Sequence, residues 1–516
     1  MKYCVYNSIH NHQFREDCAM KTFAVGLAIS LTVSGAGWLY LESDPARPTP
    51  STVVDVPTFI GSPAAPRPVV EKSQRFQHPA LAPVGLNSMH NDAAQSDSYP
   101  WSGPLGIQPE VSTRQFHRWL GSCVAQTFNS RGQMIGTCVT PFGVILVARD
   151  PNTLEILARQ VITRWLPIGK KFSGGVYFHL DSQDRVLLAT NDMAIQLWEL
   201  TQQSGDYQWS LQKSISLANL LDSAGTRPHR IIDVIPDWQG NYWFITRAGV
   251  VGMVSADGKA GAAVSLNIHG EQEGIDNALA VGEKGIFVVS NHAIYSFRRS
   301  SEGELTIQWR QAYDRGSAAK EGTMGFGSGT TPTLVGRDYV AITDNADGQV
   351  NIMVYDQDDG AVVCKHGIFP ADKGTTENSL ASVGRSLIAE NNFGYSGPKN
   401  VPTSEPGLAR VDILADGSGC ETVWENLEIT SPSAVPKVSE ASGLIYLYTR
   451  DEANPADLHA WYFTAVDFHT GEPIYKLLTG TGWLFNNHYG SISIDPDGAA
   501  YVGIMGGLIK IKDSDL

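Results

Sequence analysis

The chain is poor in charge. Asp, Glu, Lys and Arg make up 18% of its 516 residues, and acidic residues outnumber basic ones, 53 to 38. The resulting net charge of -15 argues against a nucleic-acid surface, which needs a basic patch. It suits solubility and is compatible with cation binding. Catalytic signatures are missing too: there is no GxSxG, HExxH, P-loop or helix-opening GxGxxG. No CxxC or Cys/His spacing points to zinc. Long helical stretches are few. What is abundant is glycine, 51 residues, with Asn, Asp and aromatic residues around it, a composition for short strands and tight turns.

Residues 22–41, TFAVGLAISLTVSGAGWLYL, form an uncharged run with Arg15 and Lys21 before it and Glu42 and Asp44 after it. About twenty apolar residues can span a bilayer. The charge asymmetry places the N-terminus inside and the body outside. Ser34, Gly35, Ala36 and Gly37 also suit a signal-peptide end, so cleavage and anchoring both stay open. Met20 is an alternative start to Met1. Residues 1–41 are therefore read as tail plus export or membrane segment. Residues 42–87, rich in Pro and Ala, are read as an extended, disordered linker.

Residues 88–119 are read as a docking segment. Within them Tyr99 and Trp101 are expected to pin the linker to the body. His90, Asp92 and Asp97 are ligand types, and Trp101 has the size to cover a channel mouth.

From residue 120 to 516 the sequence recurs with a period near fifty. Each unit holds four apolar-alternating runs separated by Gly, Asn or Asp turns. The unit at 330–369 is the clearest: TPTLVG, YVAITD, VNIMVYD and AVVCKHGIF. Regular short strands at this spacing indicate an all-β β-propeller with about eight four-stranded blades, seven being the alternative count. The last unit, 491–513, has only three strands. A strand within 105–119 would complete it and close the ring, removing the exposed edges.

Cys123 and Cys138 lie in two strands, SCVAQTF and QMIGTCV, around a turn. If Phe128 pairs with Gln133, the cysteines are opposed and close enough for a disulfide, which export makes plausible. Cys364 and Cys420 fall in the last strands of two different blades, and their pairing stays open.

The segment AVDFHTGEPIY (465–475) resembles the Ala-x-Asp-x-x-Thr-Gly-x-x-x-Trp turn of quinoprotein propeller repeats, with Tyr475 in place of Trp. Asp467 and Thr470 suit turn amides, Gly471 a positive φ, and the aromatic a position between blades. MVYDQDDGAVV (353–363) and GMVSADGKAG (252–261) are weaker echoes. The resemblance concerns fold, and a fold does not carry an activity.

In a propeller, the loops joining second to third strands and blade to blade share one face. Here they are polar. Asn345, Asp347, Asn392, Tyr395, Asn486 and Asn487 are candidates for ligand binding. Asp344, Asn378, Glu390 and Asn391 offer oxygens to a hard cation such as Ca²⁺. His292 and His488 are candidate proton carriers. Each residue taken alone also suits an ordinary turn. Quinoprotein dehydrogenases hold pyrroloquinoline quinone and calcium on this face, commonly with an adjacent cysteine pair. No adjacent pair exists here, which argues against that cofactor.

Three functions follow. The first is binding of a small molecule, polymer or envelope protein by an extracytoplasmic propeller, secreted or tethered through residues 22–41. The second is a calcium-dependent lactonase- or esterase-like hydrolase. The third is a scaffold in an envelope assembly.

Overall fold

A computed structural model describes residues 56–514 and the strand Ala46–Arg47, apart from 75, 117–120, 165–175, 225–229, 268–269, 272, 301–302, 324, 399–403 and 454–457. The export segment at 22–41 and the question of the true start lie outside the described residues. Among those residues no helix is long and apolar enough to cross a membrane.

The repeat folds as an eight-bladed propeller. Blades 1 to 7 cover 122–164, 178–216, 231–265, 280–312, 333–367, 381–426 and 437–481, each a four-stranded antiparallel sheet at its heart. Blade 8 is built from Ile492–Ile494, Ala500–Ile504 and Gly507–Asp513, and its outer strand is Pro109–Gln115, from the other end of the chain. The missing strand is thus where the sequence placed it, and it closes the ring.

The strand pattern follows burial. Central strands are covered on both faces by neighbouring blades and read as apolar runs, as in Gly143–Arg149, where all seven residues are buried. Outer strands alternate, as in Leu305–Ala312. Apolar clusters fill the seams, for example Leu146, Phe178 and Leu188 between blades 1 and 2, and Phe287, Trp309 and Tyr355 between blades 4 and 5.

The quinoprotein-type turn forms as its chemistry suggests. Asp467 Oδ1 accepts the amides of His469 and Thr470 at 2.6 and 3.0 Å, and Gly471 takes φ +76. Tyr475 is buried in the seam between blades 7 and 8.

Both cysteine pairs are bonded. Cys123–Cys138 joins adjacent strands of blade 1, and Cys364–Cys420 joins the outer strands of blades 5 and 6. The sequence register was off by one at the turn: Phe128 pairs with Met134, not Gln133. A bulge at Val124 restores the opposition of the two cysteines.

The described part of the expected linker lies on the ring. Phe59–Gly61 adds a strand to the outer edge of blade 7. The chain then crosses the face that carries the first-to-second strand turns, where Arg67 and Val69 donate to Ser442 and Glu440 of blade 7. His78 packs edge-on against Trp238 of blade 3. The Pro residues explain the form of this strap. They favour an extended chain and remove amides, so the few remaining amides hold it down.

At Leu81 the chain enters the axial channel. Ala82 and Asn87 bond Leu180 of blade 2, Ala93 bonds Val281 of blade 4, and Ala94 bonds Leu334 of blade 5. Ser96 bonds Ser382 of blade 6, and Ser98–Tyr99 pairs in parallel with Lys437–Ser439 of blade 7. The inner-strand edges that a propeller leaves free are here capped by one plug, with Asn91, Gln95, Asp97 and Ser98 fully buried. Trp101 donates to Ile494 on the strap side of the ring, so it does not cover the polar mouth.

Candidate functional site at the channel mouth

The loops opposite the strap bring part of the expected set together. Glu390 ends the strand Ser386–Glu390, and Asn391 and Asn392 follow it. Glu390 Oε1 accepts from the Asn378 amide and, at 2.7 Å, from the Asn392 amide. Asn392 Oδ1 accepts the Glu377 amide N–H at 2.6 Å, which fixes its orientation. Beside this group the Tyr395 hydroxyl meets His488 Nδ1 at 2.9 Å and Asn486 Oδ1 at 3.2 Å. Asn487 accepts from Ser433, joining the connection between blades 7 and 8 to the one between blades 6 and 7. The rings of Tyr395, His488 and Tyr489 contact one another. His488 and Tyr489 both hold positive φ, an uncommon pair of conformations for such side chains.

Other candidates lie elsewhere. Asp344 accepts the main-chain and side-chain N–H groups of Asn351, both at 2.8 Å. Asn391 Oδ1 accepts from the Thr375 and Phe393 amides, and its Nδ2 donates to Lys373 and Pro406. Asp344 therefore serves its own turn, and Asn391 ties its loop to the connection between blades 5 and 6. Asn345 and Asp347 anchor the chain at 315–318. His292 lies with Glu271 and Asn291, each at 2.8 Å. The four-oxygen cation set is thus divided, and Glu390 faces amide N–H groups that disfavour a cation. The residues do not fit the expected Ca²⁺ ion. Among the described residues no group of three or more His, Cys, Asp or Glu is placed to hold a metal. Neither disulfide supplies adjacent cysteines of the kind used beside pyrroloquinoline quinone.

Burial governs the electrostatics. It pushes the Glu390 carboxyl well above the usual range, against the pull of Asn378 and Asn392. Burial lowers His488 to about 4, so it is neutral at pH 7. It is a poor proton carrier in this state.

Below the mouth, the plug is tied by a buried ion set. Lys437 pairs with Asp97, and Asp97 holds His90 Nδ1 at 2.9 Å. Burial raises Asp97, but His90 and then Lys437 outweigh it and hold the carboxyl below its usual value. Burial lowers Lys437, and Asp97 only partly restores it. Ser379 donates to Asp97 at 2.8 Å. This is not a nucleophile triad: the serine stands on the Asp-bound Nδ1 side of the imidazole, leaving Nε2 without a partner. His90, Asp92 and Asp97 therefore act within the plug, Asp92 accepting from Ser96.

Sequence reasoning passed over Lys437, Ser379 and Tyr489. A lysine at the start of an inner strand was the available signal, since that position faces the axis. It also passed over the opposite face, where a small cleft lies between strap and plug. Phe76, Asp92, Trp238, Lys284 and Arg337 line it.

No known family profile matches the chain. An uncharacterized protein of Archaeoglobus fulgidus is 26% identical over 323 residues, 55% of this chain and 61% of that one. The alignment therefore spans less than two thirds of that relative. BamB from Moraxella catarrhalis superposes with a TM-score of 0.36 at 13% identity, covering 64% of this chain and 93% of that one. The quinohemoprotein alcohol dehydrogenase ADHIIG of Pseudomonas putida gives 0.31 at 14%, covering 53% and 50%. At these scores neither carries a function to this chain.

Proposed function

We propose that this protein is an extracytoplasmic binding propeller that recognises its ligand or partner at the channel mouth. The plug is the observation that carries the reading. Residues 82–99 bond the inner strands of blades 2 and 4 to 7, and the mouth lies over them as a floor for recognition. Two disulfides fit an oxidising compartment. Tethering through residues 22–41 belongs to the same proposal. A scaffold role within an envelope assembly is one form of it, with a protein as the ligand. The calcium-dependent hydrolase is disfavoured because the Asp344 and Asn391 oxygens already accept from amide groups of other residues.

The test compares substitutions on the two faces. Tyr395→Ala alters the mouth, and Arg337→Ala alters the cleft under the strap. A thermal-shift panel of small molecules and a crosslinking screen with purified envelope proteins should detect binding to the parent protein. The proposal expects that binding to vanish in Tyr395→Ala and to persist in Arg337→Ala. The reverse pattern places recognition on the strap face and overturns it.

A further inference from the structure

Two short strands fix where the N-terminal chain meets the ring. Ala46–Arg47 pairs antiparallel with Pro109–Gln115, the outer strand of blade 8, with Ala46 opposite Arg114 and Arg47 opposite Thr113. Gln115 ends that outer strand, and the connection to blade 1 follows it on the mouth face. The chain therefore arrives at the mouth edge of blade 8 and runs toward the strap face. Phe59–Gly61 runs the same way along blade 7, from opposite Leu477 to opposite Tyr475.

Little chain lies ahead of Ala46. Only residues 42–45 separate it from the apolar run at 22–41. The five steps from Leu41 to Ala46 reach at most about 17 Å. With 22–41 in a bilayer, the headgroup layer takes up roughly 6 Å of that reach. The mouth edge of blade 8 then lies within about 11 Å of the membrane surface. That gap is shorter than one outer strand, about 23 Å for Pro109–Gln115.

A tether at one point sets distance and leaves tilt open. The exposed aromatic side chains select the tilt. Among the described residues, Phe142 and Trp483 are exposed at 51% and 37%, and the other exposed large apolar side chains are aliphatic. Phe142 lies in the second-to-third turn of blade 1, between Met134–Thr140 and Gly143–Arg149. Trp483 opens the helical turn Trp483–Phe485 between blades 7 and 8. Both stand on the mouth face, on either side of blade 8. Their backbones are held. The Phe142 amide donates to Thr140 Oγ1 at 3.2 Å, and the Gly482 carbonyl accepts from Trp461 Nε1 at 3.0 Å and from the Phe485 amide at 3.1 Å. Aromatic rings are favoured at the headgroup level of a membrane. Two rings on a body of net charge -15 adsorb weakly by themselves, and the tether supplies the effective concentration.

We infer that the mouth-side rim of blades 7, 8 and 1 rests on a lipid surface, with Phe142 and Trp483 at the headgroup level. This rests on the reading of 22–41 as a membrane tether. The mouth then opens toward the bilayer, and its ligand is met close to the membrane.

The experiment uses the full chain with Cys4→Ser and Cys18→Ser, reconstituted in vesicles of phosphatidylethanolamine and phosphatidylglycerol that carry a nitroxide-headgroup lipid as quencher. A thiol-linked fluorophore is placed at one site at a time. Pro141→Cys stands beside Phe142, Arg131→Cys on the strap side of blade 1, and Ala319→Cys on the mouth face between blades 4 and 5. Quenching at Pro141→Cys should exceed that at either other site at least twofold. Adding Phe142→Ser and Trp483→Ser, both at exposed positions, should lower it to the level of Arg131→Cys while the thermal melt stays unchanged. Equal quenching at the three sites, strongest quenching at Arg131→Cys, or quenching untouched by the two serines overturns the inference. In each of these cases co-flotation of chain and vesicles leaves the tether standing. Failure of the chain to float with the vesicles overturns tether and rim contact together.

Discussion

The two faces of the ring are finished in different ways. The mouth face is made of the repeat's own loops, and its polar side chains bond one another: Glu390 with Asn378 and Asn392, Tyr395 with His488 and Asn486. The opposite face is covered by chain from outside the repeat, the strap at 56–80, held largely by main-chain bonds. Side-chain sites announce themselves by residue type. Main-chain covers do not, because any sequence that stays extended can make them. The plug belongs to both faces, since it enters from the strap side and floors the mouth.

The largest effect expected from breaking this arrangement is at the plug. Asp97→Ala strands a fully buried Lys437 and should destabilise the fold by roughly 3–5 kcal/mol in denaturant unfolding. Asp97→Ala with Lys437→Met should recover much of that loss. If the single variant unfolds like the parent, the plug is not held by this pair.

Much of this fold is legible in the sequence. Strand runs such as Ser122–Phe128 and Tyr339–Thr343 alternate clearly, and the three-stranded last unit demands a partner, which Pro109–Gln115 supplies. The disulfide at Cys123 was legible through opposition, although the Val124 bulge was not, because a bulge leaves no fixed residue signature. The site was half legible. Asn392, Tyr395, Asn486 and Asn487 are placed together, while Asp344 turns to its own loop and Asn391 to the connection between blades 5 and 6. Residue type says that an oxygen is present but not which amide reaches it first. The strap was misread because proline content marks extended chain without saying whether anything lies beneath it.

Disulfide removal gives the next effect. Cys364 and Cys420 are 56 residues apart and clamp two blades. Their replacement by Ser should cost about 2–4 kcal/mol. Thermal melts with and without reductant should differ more for the parent than for the variant, which keeps only Cys123–Cys138. An unchanged melt would show that packing between blades 5 and 6 suffices.

The pH response should carry both signs at the mouth. His488 lies near 4 in the fold against 6.5 when free, so the unfolded chain binds more protons between these values. Its contribution is present above pH 6.5 and is lost as pH falls toward 4, by up to roughly 3 kcal/mol. Glu390, raised by burial, contributes below pH 4.5 and loses that contribution as pH rises through its folded value. His488→Gln should flatten the acid limb of the stability profile, and Glu390→Gln the alkaline side. Profiles identical to the parent would mean that these groups are open to water.

The strap should show the smallest effect. Arg337 stacks on Phe76 at 3.8 Å, and Phe76→Ala should cost about 1 kcal/mol with the mouth's binding intact. A loss of binding there would couple the faces.

Hydrogen exchange of the Val281, Leu334, Ser382 and Val438 amides, which donate to the plug carbonyls of Ala93, Ala94, Ser96 and Asp97, tests most directly whether the N-terminal chain closes the ring's axis. A plug bonded to blades 4 to 7 predicts protection equal to that of the second strands Ile286–Val289 and Tyr339–Thr343, persisting for hours. Exchange within seconds, while those strands stay protected, would mean an open channel and would contradict the mouth as a closed floor.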